Sequence, residues 1–245
     1  MNILENLYHY TTIEKLALIL RSGKIRFSAL SNLDDLTESY TQDLGNISSF
    51  ILVSCWTNIE EENIALWNMY CKNGRGIRIK MRTSIFHREN TDKLDYFVEV
   101  DKNANLWYPS NSLTKVKYLV NPKRSFRSKE GEVDLSKLAK EKDKVWEFQN
   151  EWRFILYQFP NKELLSEVFN NNLNPIETKK IFENYNFTHN YYDYVIANSE
   201  LKFMEITLGP STTLAEEIIV EALVSKYNSH AKIKKSNLID HIRLK

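Results

Sequence analysis

The sequence of 245 residues predicts an α+β fold, on three observations. Phe50–Thr57 is a near-continuous apolar run, typical of a central strand that is covered on both faces. Polar and apolar side chains alternate over Val145–Leu156, which predicts another strand. Apolar residues between Ile13 and Leu20 recur at helical spacing, which predicts a helix.

Composition favours one elaborated domain over residues 1–245. The chain is 42% hydrophobic, enough for a sizeable core, and it contains no Gly/Ser linker, repeat or low-complexity block. A net charge of +1 means that the protein as a whole attracts polyanions weakly. Two cysteines are too few for a disulfide framework, and no apolar run reaches the about 18 residues of a membrane span. We therefore expect reduced cysteines, no membrane partner and a cytoplasmic location.

The first strand and helix meet at a candidate ligand site. Leu7–Tyr10 is predicted as a strand, and Thr11 with Glu14 forms a capping box that begins a helix, which Gly23 ends. His9 then lies where side chains and free helix N–H groups converge on ligands. A lone histidine is more often a structural residue, so both roles stay open.

An acidic segment follows the second predicted strand, Lys24–Ser28. Three carboxylates lie in the polar segment Ser31–Glu38, namely Asp34, Asp35 and Glu38. They could bind a metal ion, but Asx turns and helix caps explain such clusters more often. The prediction is that no metal is bound.

The middle of the chain contains a helix and a basic strand. Asn58 and Glu61 are predicted to cap a helix that runs to about Cys71, in which Trp67 and Tyr70 either pack in the core or form a wall for a flat ring. The strand Ile77–Met81 has a basic face that is either solvated or in contact with phosphates; the residues of this face are Arg78, Lys80 and Arg82.

The remaining elements are predicted more simply. Two amphipathic helices and an aromatic run indicate a helical insertion at about 160–200, whose aromatic residues either pack on the core or stack single-stranded bases. The other predicted elements are strands at 96–100, 113–120, 201–208 and 231–235, helices at 135–144, 161–171, 175–184 and 213–223, and a basic loop at 121–131.

The strand in Val145–Leu156 carries the strongest candidate site. Its alternation presents Gln149, Glu151 and Arg153 on one face, while Trp152 and its alternate neighbours pack on the other. A carboxylate and a carboxamide two residues apart lie about 7 Å apart at their Cα atoms, close enough to contact one substrate. In most strands of this kind, however, the polar face is simply exposed to solvent and has no catalytic role.

These motifs together resemble a bacterial family of domains of unknown function that is similar to the ADP-ribosyltransferase superfamily. The resemblance covers nearly the whole chain except about residues 160–200. The residues that carry it are Leu7-Tyr8-His9-Tyr10-Thr11, Asp35 with Glu38, Trp67 and Tyr70 followed by Gly74 and Gly76, Trp146 with Gln149, Glu151 and Arg153, and Leu208-Gly209-Pro210.

The resemblance implies a split, mostly antiparallel sheet with flanking helices and a cleft that binds NAD as substrate. It implies that Glu151 is the transferase glutamate, with Gln149 and His9 as further catalytic residues. The strands at 50–57 and 150–156 should be neighbours lining the cleft. The residues implied in NAD binding are His9, Tyr10, Thr11, Ser54, Trp56, Thr57, Trp67, Tyr70, Arg78 and Arg153.

The acceptor of ADP-ribose is predicted to be nucleic acid, with RNA among the candidates. An amide at Gln149 can donate to and accept from a base edge, and the basic face of Arg78, Lys80 and Arg82 offers phosphate contacts. The resemblance further implies a toxin or phage-defence effector, with an antitoxin as a possible partner. The alternatives are a catalytically silent nucleotide-binding module and a metal-dependent nuclease.

Overall fold

A computed structural model describes residues 4–86, 96–101, 104–108, 112–122, 138–169, 174–185, 187 and 189–242. It confirms the α+β class, with a large mixed sheet and several helices. The described strands are β1 (Asn6–Thr11), β2 (Lys24–Ala29), β3 (Tyr40–Thr41), β4 (Gly45–Asn46), β5 (Ile51–Thr57), β6 (Ile77–Arg82), β7 (Tyr96–Asp101), β8 (Ala104–Tyr108), β9 (Leu113–Lys115), β10 (Lys117–Leu119), β11 (Glu141–Asp143), β12 (Glu151–Phe159), β13 (Tyr191–Val195), β14 (Glu205–Leu208) and β15 (Lys232–Lys235). The described helices are α1 (Ile13–Ser22), α2 (Ile64–Tyr70), α3 (Lys162–Phe169), α4 (Pro175–Asn184), α5 (Asn198–Leu201) and α6 (Leu214–Tyr227), with 3₁₀ helices at Leu30–Asn32 and Lys144–Gln149.

The main sheet runs in the order β15-β14-β6-β1-β5-β12-β8-β7. Its strand pairs are antiparallel apart from β14 and β15, which are parallel. The predicted pairing of the two central strands is confirmed, since Glu151 of β12 lies opposite Thr57 of β5 and Tyr157 lies opposite Ile51. The apolar run and the glutamate strand are thus neighbours.

The sheet divides at the other edge of β5. Tyr8 of β1 pairs with Thr57 at one end of this edge, whereas Ser28 of β2 pairs with Val53 at the other end. From there β1 continues to β6, and β2 continues to β13. The main chain of residues 54–56 therefore faces an opening between β1 and β2, which we call the split.

Hydrophobic clusters cover both faces of β5 and β12, as the apolar run predicted. Trp56 and Phe154 belong to a cluster that includes residues of α1 and α6. Val53 and Ile155 belong to a second cluster on the other face, which includes Phe182 of α4. Burying apolar surface on both faces stabilises these two strands most strongly. The polar residues at their ends are held on this rigid base.

The insertion packs on the core, which is the more frequent of the two uses predicted for its aromatic residues. Helices α3 and α4 form where predicted, and Asn174 with Glu177 makes the capping box of α4. Phe182 lies 4.5 Å from Phe50 between ring centroids, and Phe187 lies 5.0 Å from it. The end of the insertion is not helical, because residues 191–195 form β13 beside β2.

The stretch before Glu151 differs from its prediction. Residues 145–149 are predicted as strand but form a 3₁₀ helix, because the Asp143 side chain accepts a hydrogen bond from the Val145 N–H and caps it. Asn150 ends this helix in the left-handed conformation at φ 43°, and β12 begins directly after it. The helix predicted at 135–144 is wrong over 138–144, where a turn and β11 lie, while residues 135–137 and the loop residues 123–131 fall outside the described ranges.

Four further boundaries are corrected. Thr12, not Thr11, caps α1, since its side chain accepts from the Lys15 N–H. Helix α2 begins at Ile64, because Asn63 rather than Asn58 or Glu61 accepts the free N–H groups of its first turn. The strand predicted at 113–120 divides into β9 and β10, and the strand predicted at 201–208 is confined to β14.

The close approach of β1 to the loop after α2 depends on Gly76. A Cβ atom at Gly76 would lie 2.3 Å from the Thr11 carbonyl oxygen and 2.9 Å from the Cys71 Cα. We expect Gly76→Ala to lower the free energy of unfolding by about 1–3 kcal/mol, because backbone must move to admit the methyl group. Urea unfolding monitored by tryptophan fluorescence measures this.

The matched control is Gly23→Asn. Gly23 is left-handed at φ 64°, a conformation that asparagine tolerates, and no atom would contact the added Cβ within 4 Å. Equal unfolding midpoints for the two variants would contradict the proposed close approach at Gly76.

Candidate functional site

A cleft of about 600 Å³ opens at the split. Residues from β1, the start of α1, β5, α2 and the segment 142–151 line it. Most of the predicted site residues lie here: His9, Tyr10, Thr11, Ser54, Trp56, Thr57, Tyr70, Gln149 and Glu151. Sequence motifs that are far apart along the chain thus meet at one concave surface of the size that small-molecule ligands use.

Three predicted residues do not line the cleft. Trp67 is fully buried beside Tyr10 and donates its Nε1–H to Glu62 at 2.9 Å. Arg78 lies against the Tyr8 ring and donates from Nη1 to the Glu60 carbonyl oxygen at 2.7 Å. The third residue, Arg153, is buried behind Glu151. Arg78 and Arg153, which were expected to contact a pyrophosphate, thus lie outside the cleft lining, and both guanidinium groups are engaged inside the fold.

Glu151 is held by two cations. Arg153 donates from Nε to Oε1 at 2.6 Å and from Nη2 to Oε2 at 3.1 Å, and Lys142 donates to Oε2 at 3.2 Å. Burial raises the pKa of this carboxyl, but Arg153 and Lys142 outweigh burial and lower the pKa to about 2. Glu151 is therefore an anion across the physiological pH range, although its side chain is almost fully buried.

Arg153 also reaches a second carboxylate. Its Nη1 lies 2.7 Å from Glu38 Oε1 and donates to the Ala139 carbonyl oxygen at 2.9 Å. Both side chains of this ion pair are fully buried, and burial raises the pKa of Glu38 although Arg153 opposes the shift. The Glu38 oxygens have no hydrogen bond of good geometry within the described residues, so the contact is mainly ionic. We call Glu38, Arg153, Glu151 and Lys142 the charge cluster.

Gln149 reaches the cleft by a different route from the one predicted. It ends the 3₁₀ helix, and the left-handed Asn150 turns the chain so that the carboxamide lies beside Lys142, whose ammonium donates to Oε1 at 2.8 Å. Gln149 Nε2 donates to the Tyr70 hydroxyl at 2.8 Å, and that hydroxyl donates to Asp34 at 2.7 Å. Burial and then Asp34 raise the pKa of Tyr70, so the phenol stays protonated.

His9 lies at the split and is neutral. Its Nδ1 is 2.8 Å from the Cys55 carbonyl oxygen, which can only accept, so Nδ1 carries the proton. Burial lowers the pKa of His9 to about 4, while this hydrogen bond opposes the shift. Nε2 of the neutral ring is therefore an acceptor, available to a hydroxyl of a ligand.

His9 and Glu151 belong to opposite faces of the paired strands. The register places Glu151, Thr57 and Tyr8 on one face, which gives His9 the other face, where its ring lies 5.1 Å from Trp56. Both nevertheless line the cleft, because on the edge of β5 that faces the split no described strand pairs with residues 54–56. A ligand that touches both must lie across this opening.

Lys142 and Lys15 line the cleft but were missed at the level of sequence. Lys142 falls in a stretch whose pattern predicts a helix, and nothing in its spacing relates it to Glu151. Lys15 lies in the first turn of α1. Its position just after the strand-to-helix junction at His9 was a signal in the sequence that could have identified it.

Acids pair with part of the predicted basic face. Arg82 forms a bidentate pair with Glu200 at 2.8 and 2.9 Å, and Arg78 is buried. Lys80 lies 3.8 Å from Glu205 of β14, but Lys234 binds the same Glu205 oxygen at 2.6 Å. Lys80 is therefore only partly paired.

The described residues include neither a metal-binding cluster nor a membrane-spanning helix. Within the described ranges, no three His, Cys, Asp or Glu side chains are grouped closely enough to hold a metal ion. No helix of the described part has the length and hydropathy needed to cross a bilayer.

The comparison with known proteins adds a partial match. Residues 66–154 match a family model described as a protein of unknown function (DUF2971). Over this stretch the chain is similar to a family of unknown function, as the motifs predicted. The stretch includes Tyr70, Lys142, Gln149 and Glu151 but not β1 or β5, and the link to ADP-ribosyltransferases stays a prediction. No curated protein and no solved structure matches the chain.

The charge cluster makes Arg153 a test of stability. Arg153→Met keeps the volume but leaves Glu38 without its cation and Glu151 with only Lys142. We expect a loss of about 3–5 kcal/mol in the free energy of unfolding, because a buried charge without its partner is strongly unfavourable. Arg26→Met is the matched control: its pair with Asp193 is about half exposed, so at most about 1 kcal/mol should be lost. Similar losses would contradict the burial of the cluster.

The His9 ring gives a pH-dependent prediction. In ¹⁵N NMR, with His9→Gln used for assignment, we expect a ring protonated on Nδ1 that titrates near pH 4. The unfolded chain takes up this proton near pH 6.5. The stability that His9 contributes is therefore present above pH 6.5 and is lost as the pH falls toward 4. Titration near pH 6.5, or a proton on Nε2, would contradict the buried donor role.

Proposed function

We propose that this protein cleaves the bond between nicotinamide and ribose in NAD and transfers ADP-ribose to an acceptor. The observation that carries the proposal is an ionised carboxylate, Glu151, in the wall of a cleft of about 600 Å³. The neutral His9 and the aromatic Tyr70 line the same cleft. A carboxylate, a neutral hydrogen-bond acceptor and an aromatic ring suit a nucleotide that carries a cationic nicotinamide ring.

The proposed reaction transfers a glycosyl group. The bond from ribose C1′ to the nicotinamide nitrogen breaks, and its electron pair neutralises the positive ring nitrogen. A nucleophilic oxygen or nitrogen of the acceptor forms the new bond to C1′, and the acceptor's proton is released to solvent. Positive charge builds on the ribose in between, so a fixed carboxylate stabilises the transition state more than the ground state.

Glu151 is suited to this role by its charge and its orientation. Three N–H groups donate to its oxygens, two from Arg153 and one from Lys142. A carboxylate has about four acceptor positions, and the fourth is next to the Cys55 thiol, a weak donor that a ribose hydroxyl would replace. Because the donors fix the carboxylate before substrate binds, little reorganisation is needed during the reaction.

Other cleft residues support binding of the rest of the nucleotide. Tyr70 is partly exposed in the cleft, whereas Trp56 is almost fully buried and Trp67 lies outside the cleft, which favours Tyr70 as the stacking surface for a flat ring. His9 Nε2 can accept from a ribose hydroxyl. The hydroxyl of Ser54 is engaged, since it accepts from Trp56 Nε1 at 3.0 Å.

The acceptor remains a prediction. Gln149 is held by Lys142 and Tyr70, and Arg82 of the basic face is paired with Glu200. Lys80 shares Glu205 with Lys234, and nucleic acid is kept as the proposed acceptor.

A silent nucleotide-binding module is the second candidate function. It is favoured by the two cations on Glu151, because a carboxylate that is so strongly paired offers less net negative charge to a developing cation. Turnover of NAD separates the two candidates.

We expect Glu151→Gln to lower the rate of nicotinamide release from NAD at least about 100-fold, because the amide keeps the shape of the side chain but loses the charge. The matched control is Glu147→Gln, four residues earlier and exposed on the 3₁₀ helix, which should keep the wild-type rate. Nicotinamide release is measured by chromatography at a temperature where both variants remain folded. No turnover in wild type would favour the silent module, and equal turnover in wild type and Glu151→Gln would contradict the role proposed for Glu151.

A further inference from the structure

We propose that the first turn of α1, Thr11 and Lys15 form a phosphate subsite at the rim of the cleft, which binds the diphosphate of a nucleotide. The inference rests on the proposed function for the identity of the nucleotide as NAD. The subsite itself is argued from residues that the catalytic role of Glu151 does not use.

The start of α1 presents a free amide donor. Helix α1 has ten residues and follows β1 directly, with Thr12 as its N-cap. The Thr12 side chain accepts from the Lys15 N–H and the Glu14 carboxylate from its own N–H, so the Ile13 amide has no acceptor within the helix. The helix dipole adds partial positive charge at this end, which favours a bound anion.

Thr11 provides a second, independent sign of a ligand. The residue is 2% exposed and lines the cleft. Its hydroxyl forms no hydrogen bond with any residue that the structure describes. The hydroxyl is not among the fully buried polar atoms and therefore faces the cleft, where a phosphate oxygen would accept its proton.

Lys15 supplies a full positive charge. Its side chain lines the cleft, and it forms no ion pair with an acid of the described ranges. The neighbouring Glu14 is bound by Lys72, so it does not neutralise Lys15. The charge of Lys15 contributes to lowering the pKa of His9, after burial, which shows that it acts at the His9 side of the cleft.

The other cations of the cleft wall are engaged. Arg26 forms a bidentate pair with Asp193, Lys72 is paired with Glu14, and Lys142 belongs to the charge cluster. Lys15 is therefore the cation best placed to receive a phosphate, as a point charge with three donors. This assigns the role that the sequence had suggested for Arg78 or Arg153.

The subsite is tested by calorimetric titration with ADP and with adenosine, which differ only in the diphosphate. We expect Lys15→Gln to weaken ADP binding about tenfold, and Thr11→Val to weaken it several-fold, with adenosine binding unchanged in both. Lys24→Gln, on the exposed part of β2 outside the cleft, is the control and should bind ADP as wild type does. Inorganic phosphate as titrant shows whether the subsite binds the anion without the nucleoside.

The outcomes separate the subsite from the proposed reaction. ADP binding that is weakened by Lys15→Gln in a protein without NAD turnover would keep the subsite and overturn the transferase. NAD turnover in wild type together with an unchanged ADP affinity in Lys15→Gln would keep the transferase and overturn the subsite. Equal affinity of wild type for ADP and adenosine, or no binding of ADP, would overturn the subsite.

Discussion

The site depends on the charge cluster of Glu38, Arg153, Glu151 and Lys142. Two carboxyl groups and two cationic side chains are buried together. Each of them alone would be strongly unfavourable in the interior, so each is retained through its partners. The cluster ties the start of β12 to the segment around Glu38 and to β11, and it thereby fixes the direction of the Glu151 carboxylate.

The split gives this carboxylate a place to act. Because β1 and β2 share one edge of β5, the sheet opens beside residues 54–56 and the cleft forms between strands that remain rigid elsewhere. His9 and Glu151 then line one cleft from opposite faces. Their environments shift their pKa values downward for different reasons, burial for His9 and two cations for Glu151, which leaves one group neutral and the other anionic. In such a pair the neutral His9 can bind a ligand hydroxyl, while the anionic Glu151 can stabilise positive charge.

Much of the fold could be predicted from local chemistry. The apolar run of β5 and the caps of α4 and α6 are decided by residues close in sequence, and the structure confirms these elements. Glu151 was found because a strand pattern placed it beside buried residues. The position of Gln149 was right for a different reason: a left-handed Asn150, rather than strand alternation, turns its side chain to the cleft.

The rest depends on contacts between distant segments. Nothing local indicates that Arg78 packs against Tyr8, that Lys142 reaches Glu151 from β11, or that Glu200 pairs with Arg82. The direction of a long cationic side chain is set by the acids and rings that tertiary structure brings to it. Cation assignments were therefore the least reliable part of the site predicted from sequence.

A crystal structure of Glu151→Gln grown with NAD would test the central claim most directly, since the variant should bind substrate without consuming it. We expect the nicotinamide ribose within hydrogen-bond distance of the residue 151 side chain, a second contact at His9 Nε2, and the diphosphate beside Lys15 and the first turn of α1. NAD bound elsewhere on the protein, or a cleft without NAD at saturating concentration, would contradict the claim.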